Sequence, residues 1–268
     1  MVLAAKPLCT ALGAEISGID LSVPIGEGEA RWLREQYERH HLLLLRGHPV
    51  TAERQAELAQ VFGKIALRER TTVKGERADT QHVSNVLPDG LFGSSELHFH
   101  VDQLFEDVPL AALILYAVEV PDKGGETLFS NGTLAWESMP AELKSRVEGL
   151  QCRHAYTYAG TLADEWNMER ADKDAPVAVH PMVWADPRSG LRNVWANKAA
   201  TICVLGLEQG EGLALIDEVR SYLENPEFVY RHQWRPHDLL LWNNRLLHHA
   251  RTPFDPSKPR TLRRTPIL

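Results

Sequence analysis

Three cysteines among 268 residues, Cys9, Cys152 and Cys203, are odd in number and widely spaced. That argues against a disulfide framework and for a reducing, cytoplasmic setting. Long apolar runs are also missing. Leu42–Leu45 is bounded by His41 and Arg46 and falls far short of the ~20 residues a membrane span needs. Met1 to Leu8 carries no signal-peptide pattern, so no membrane association is expected. Positive charge is in deficit: 29 Lys and Arg against 36 Asp and Glu give a net charge of −7, which argues against a nucleic-acid partner. Repeats, low-complexity segments and long linkers are absent, and residues 1–268 read as one domain, expected to form a homo-oligomer.

What is present is mostly strand signal. Leu12–Leu21, Leu42–Leu45, His82–Val86, Ala111–Val118, Leu150–Tyr158, Ala178–Trp184, Leu191–Trp195, Phe228–Trp234 and Leu239–Trp242 are rich in β-formers, with a turn at Asp186–Gly190. Helices are expected over Glu29–His40, from an N-cap at Thr51 through Phe62, over Leu134–Glu148 with a break at Pro140, and over Gly212–Leu223. Many strands with few, segregated helices predict a mainly β fold, a jelly roll with helices packed outside. Residues 159–177 are polar and patternless between two strands, a pattern that predicts a lid loop.

The chemistry concentrates in a His-x-Asp pair, His100 and Asp102, and a distant histidine in Asn244-Arg245-Leu246-Leu247-His248-His249. In a strand, residues i and i+2 point to one face, so the pair can offer a nitrogen and an oxygen to one ion. Two histidines and a carboxylate on one face of a metal, with the other positions open, describe a non-haem Fe(II) oxygenase site. His98 shares the face of His100 and Asp102, and the resulting His-x-His-x-Asp spacing also resembles that of metallo-β-lactamase-type zinc hydrolases. Their pattern continues with a histidine where Gln103 stands here.

Four segments together resemble the TauD/TfdA family, the taurine dioxygenase-like Fe(II)- and 2-oxoglutarate-dependent oxygenases. They are Leu12–Leu21, Phe99-His100-Val101-Asp102 with Phe105, Gly124-Gly125-Glu126-Thr127-Leu128-Phe129, and the run from Trp242-Asn243-Asn244-Arg245 through His249 to Arg260 and Arg264. Phe99 stands where the family has Trp and Asn243 where it has Asp; neither is a ligand position. The register of the resemblance selects His100, Asp102 and His249 as metal ligands over His98 and His248.

The resemblance implies a double-stranded β-helix core, Fe(II), O2 and 2-oxoglutarate as co-substrate. Thr127 and Arg260 match the hydroxyl and the arginine for its distal carboxylate. Arg264 matches a position that meets either the substrate's acid group or the inner end of the co-substrate. Arg263 reads as a solvated charge. The implied reaction hydroxylates a small organic acid (a sulfonate, aryloxy or amino/carboxylic acid) with release of succinate and CO2, and with C–heteroatom cleavage where the product is unstable. Asp102 favours hydroxylation, since related halogenases have a small residue there. His82, Asn85, Phe105 and Gln103 are candidate substrate contacts, with Glu96 nearby. A zinc hydrolase using His98, His100 and Asp102, and a non-catalytic binding module, remain the rival readings.

Overall fold

The computed structural model describes residues 2–47, 49–67, 79–88, 90–156, 176–197 and 199–268. Its spine is an eight-stranded sheet ordered β1 (Ala4–Pro7), β2 (Ala14–Ser17), β3 (Leu42–Leu45), β15 (Leu239–Asn243), β7 (Ala112–Glu119), β17 (Thr261–Ile267), β4 (Gln81–Ser84) and β5 (Leu91–Phe92). A four-stranded sheet carries β14 (Val229–His232), β8 (Thr127–Asn131), β16 (Leu247–Arg251) and β6 (Leu97–His100). Apart from the consecutive pairs β1–β2, β2–β3 and β4–β5, the neighbours in each sheet come from distant parts of the chain, and the two sheets form the expected jelly-roll core.

The continuous leucine run of β3 follows from burial on both faces. Leu43 and Leu45 pack with Ile114, Tyr116, Leu239 and Leu241 under α1 (Glu27–His40) and α2 (Ala52–Gln60). Leu42 and Leu44 turn inward with Leu113, Leu115, Leu240, Trp242 and Leu262, and meet Phe129 and Leu247 of the smaller sheet. One face therefore anchors helices and the other builds the inter-sheet core. Thr51 caps α2 by accepting the Arg54 backbone N–H.

A third cluster packs α3 (Gly132–Ser138), α4 (Ala141–Val147) and α5 (Gln209–Leu223) on a sheet ordered β10 (Val177–Pro181), β9 (Gln151–Ala155) and β13 (Thr201–Val204). The hairpin β11 (Val183–Ala185) and β12 (Arg192–Val194) completes this layer. The expected helix over Leu134–Glu148 is divided at Pro140, whose ring removes a donor and starts a new helix at Ala141. The stretch Ala178–Trp184 is two strands rather than one, parted at Met182. Of the expected lid at 159–177, residues 159–175 lie outside the described residues, and Val177 already belongs to β10. No helix among the described residues is long and apolar enough to cross a membrane.

Candidate active site

The inter-sheet cavity, about 440 Å³ including its open mouth, is walled by both sheets. From the smaller sheet come Leu97, His100, Thr127, His249 and Arg251; from the larger come Val83, Leu115, Trp242, Leu262 and Arg264. Strand pairing brings the histidines together. His249 of β16 lies opposite His100 of β6, with an irregularity in the ladder just after it, and the ring centroids are 4.2 Å apart. Asp102 follows β6, its Oδ1 at 3.2 Å from His100 Nε2 and 3.7 Å from His249 Nε2. The donor atoms of His100, Asp102 and His249 lie within 4.8 Å of one another, and among the described residues no other group of this kind occurs.

The supporting contacts prepare these atoms for a cation. His100 Nδ1 lies 2.7 Å from the His98 carbonyl, which can only accept. Nδ1 therefore carries the proton and Nε2 keeps its lone pair for a metal. Asn244, fully buried, clamps the Asp102 backbone: its Oδ1 accepts the Asp102 N–H at 2.9 Å and its Nδ2 donates to the Asp102 carbonyl at 3.0 Å. Burial alone would raise the Asp102 carboxyl, but Arg264 and the neighbouring His100 and His249 rings outweigh it and hold it well below the usual carboxylate range. Burial, with repulsion from His100 next, pushes His249 well below an ordinary histidine. Metal binding requires imidazole lone pairs and an ionised carboxylate; the carbonyl at His100 Nδ1, the lowered His249 and the lowered Asp102 all favour that set, so these residues fit the Fe(II) that the resemblance implies.

Cations line the far side. Arg260 is 2% exposed and donates through Nε and Nη2 to the Gly125 carbonyl at 3.2 and 3.0 Å. Gly125, at φ +67°, has to be glycine, because a Cβ there would sit 2.9 Å from Arg260 Nε. Burial first, then Arg251, pushes the Arg260 guanidinium down to about 9, and burial pushes Arg251 down to about 10. Both stay charged at neutral pH, as cations that an anion would relieve. Thr127 Oγ1 accepts the Trp234 indole N–H at 2.9 Å. An indole only donates, so the threonine's own proton is left for a ligand.

Other expected site residues fall elsewhere. On β4, Gln81 and Val83 stand opposite Arg264 and Leu262 and share their side of the sheet, whereas His82 stands opposite Arg263. The expected contact at His82 therefore points to the other side of the sheet, while Val83 lines the cavity and Gln81 accepts from Arg264 at 2.5 Å. Asn85 is engaged in shaping a turn, donating to the Pro256 and Lys258 carbonyls and accepting the Arg260 backbone N–H. Phe105 packs edge-on against Tyr156, and Gln103 occupies a left-handed turn at φ 60°; neither lines the cavity. Glu96 is exposed.

Arg263 is no solvated charge. It donates to Gln55 Oε1 and the Val50 carbonyl and covers the Tyr116 ring at 4.6 Å. His248 faces away from the cavity, its Nε2 at 2.9 Å from the Val194 carbonyl. His98 contributes its backbone carbonyl and no donor to the metal-capable group, which removes the basis of the zinc-hydrolase alternative. Asn243 caps the turn by accepting the N–H groups of Arg245 and Leu246, a task that uses only its oxygen and that Asp performs equally well. Arg251, two residues beyond His249 on the same face of β16, escaped the sequence reading; that i, i+2 spacing was the available signal.

Comparison with known proteins bears on this geometry. The family model described as "Taurine catabolism dioxygenase TauD, TfdA family" matches residues 4–265. An alpha-ketoglutarate-dependent 2,4-dichlorophenoxyacetate dioxygenase of Cupriavidus pinatubonensis is 29% identical, over 100% of this chain and 98% of its own. An (S)-phenoxypropionate/alpha-ketoglutarate-dioxygenase of Sphingobium herbicidovorans is 27% identical, over 96% and 91%. The crystal structure of AAD-2 in complex with Mn(II) and N-oxalylglycine superposes with a TM-score of 0.83 at 28% identity, covering 100% of this chain and 97% of the other.

Proposed function

The chain belongs to the TauD/TfdA family of dioxygenases, oxidoreductases that use Fe(II), 2-oxoglutarate and O2, and on that premise we propose that it hydroxylates a small organic acid, with His100, Asp102 and His249 holding the iron. The observation that carries this reading is the convergence of those three donors in a cavity whose remaining polar wall is cationic. The family match over residues 4–265 supports treating the whole chain as one catalytic unit.

Bound Fe(II) supplies the oxidising chemistry with O2 as 2-oxoglutarate is converted to succinate and CO2. The protein's part is placement. Thr127 and Arg260 hold the distal carboxylate, which fixes the oxo acid at one end and directs its other end to the metal. Asp102 would present Oδ1 to the metal, since Arg264 engages its other oxygen. Val83, Phe92, Leu97, Leu115 and Leu262 provide an apolar wall for a carbon skeleton and exclude water from the reacting atoms.

An acid substrate is supported by Arg264, which is 6% exposed and lines the cavity. Two of its donors are engaged by Asp102 and Gln81, and a guanidinium has five. The aryloxy acids named for the two relatives fit this combination of an apolar wall and one cation. The test is a screen with Fe(II), ascorbate and 2-oxoglutarate, offering aryloxyalkanoates, sulfonates, sulfate esters and amino acids. An acid-triggered release of succinate that a chelator stops is expected. Hydrolysis supported by zinc without consumption of 2-oxoglutarate would overturn the proposal.

A further inference from the structure

Arg251 is a buried cation with no role in the site as built so far. It is 4% exposed, it lines the cavity, and no carboxylate pairs with it among the described residues. One edge of its guanidinium is anchored: Nε donates to the Ser95 carbonyl at 3.1 Å, and Nη2 donates to the Phe92 carbonyl at 2.7 Å and to Ser95 as well. The remaining nitrogen, Nη1, is buried and has no hydrogen-bond partner among the described residues. A buried guanidinium nitrogen without an acceptor is costly, and such an orphan calls for a ligand.

Its position identifies which ligand. Arg251 and Thr127 are direct partners across the β16–β8 ladder, so their side chains leave the same face side by side. Arg260 approaches the same place from the larger sheet. Both guanidiniums lie over the Phe254 ring, at 5.6 Å for Arg251 and 5.7 Å for Arg260. Arg260 is anchored in the same manner, with Nε and Nη2 on the Gly125 carbonyl. Among the described residues the only carboxylate lining the cavity is Asp102, and Arg264 already engages it. Two anchored cations and a hydroxyl with an uncommitted proton thus line the same part of the cavity.

We propose that Arg251 is a second guanidinium for the distal carboxylate of 2-oxoglutarate, donating through Nη1 beside Thr127 and Arg260. This rests on the function proposed above. A carboxylate has about four acceptor positions, enough for three donors at once. Two cations on one carboxylate also favour oxo acids that carry a second negative charge over monoacids such as pyruvate.

The experiment measures equilibrium binding to the Mn(II)-loaded protein, so no turnover is needed. Two chelating probes are compared: N-oxalylglycine, which carries a distal carboxylate, and oxalate, which has none. Wild-type protein should bind both. Arg251→Gln should weaken N-oxalylglycine about 10-fold or more, the scale of one charge-assisted hydrogen bond, and leave oxalate unchanged. Arg251→Lys, which keeps the charge, should recover part of the loss. Equal weakening of both probes would assign Arg251 a purely structural role, and no weakening of either would remove it from the site; each outcome overturns the proposal. Failure of wild-type protein to bind either probe would instead overturn the function on which the proposal rests.

Discussion

The Arg264 guanidinium donates to Asp102 Oδ2 at 2.6 Å, while Oδ1 of the same carboxylate faces His100 and His249 at 3.2 and 3.7 Å. One carboxylate is thereby divided between a cation supplied by the protein and the position a metal would take. Arg264 thus orients the carboxylate proposed to bind metal as well as facing the cavity, and the two tasks are coupled through a single side chain.

Arg264→Ala should therefore lower metal affinity, by roughly 10-fold or more, the usual scale for removing a group that orients a ligand. The loss should appear in a Mn(II) titration followed by electron paramagnetic resonance with no substrate present. Arg264→Lys should lose less. Unchanged Mn(II) affinity in Arg264→Ala would confine this arginine to substrate binding.

The two neighbouring histidines should separate cleanly. His100→Ala removes a donor atom and should abolish stoichiometric Fe(II) binding and turnover. His98→Ala retains the backbone carbonyl that holds His100 Nδ1, so the metal should stay bound. Equal loss of iron from both variants would mean that the His98 ring takes part.

Trp234→Phe keeps the ring but deletes the indole N–H that orients the Thr127 hydroxyl. Loss of one neutral hydrogen bond should raise the KM for 2-oxoglutarate about 2- to 10-fold with little change in kcat. A fall in kcat at constant KM would contradict the orienting role.

Stability of the metal-free protein should fall with pH below about 6.5. Burial pushes His248 down to about 4, and burial with His180 next pushes His154 down to about 3, from 6.5 in an exposed histidine. The unfolded chain takes up protons that the folded chain refuses, so the stabilisation is complete above ~6.5 and is lost as pH falls toward the folded values. Each histidine contributes about 1.4 kcal/mol per pH unit in that window. Thermal melts from pH 5 to 7.5 should show the slope, and His248→Asn should reduce it by about one proton.

The spacing of His100, Asp102, His249, Arg260 and Arg264 was legible because each lies inside a compact local pattern. The leucine-rich central strands were legible through apolarity alone. Strand β16 was not, since its two histidines and one arginine are buried on both faces and show neither apolarity nor alternation. On β4 the sequence offered no register, and since a shift of one reverses every side chain in a strand, only the pairing with β17 showed that Gln81 and Val83 rather than His82 share the side of Arg264. Asn85, Gln103 and Phe105 do not line the cavity, and no direction could be read for them because loops carry no periodicity.

By itself the sequence determined the donor types, their order, and the β-rich architecture that could hold them, because motif spacing and side-chain chemistry are local properties. Arg260 and Arg264 were assigned from that spacing, but only the tertiary structure decided that Arg251 joins them at the cavity and where Arg263 is held. Arg260 and Arg264 face the cavity and Arg263 turns to α2, while Arg251 meets Thr127 across 124 positions of chain through one rung of β16 and β8. Such meetings depend on ladder register between distant strands, and register is set by how two sheets bury their inner faces together.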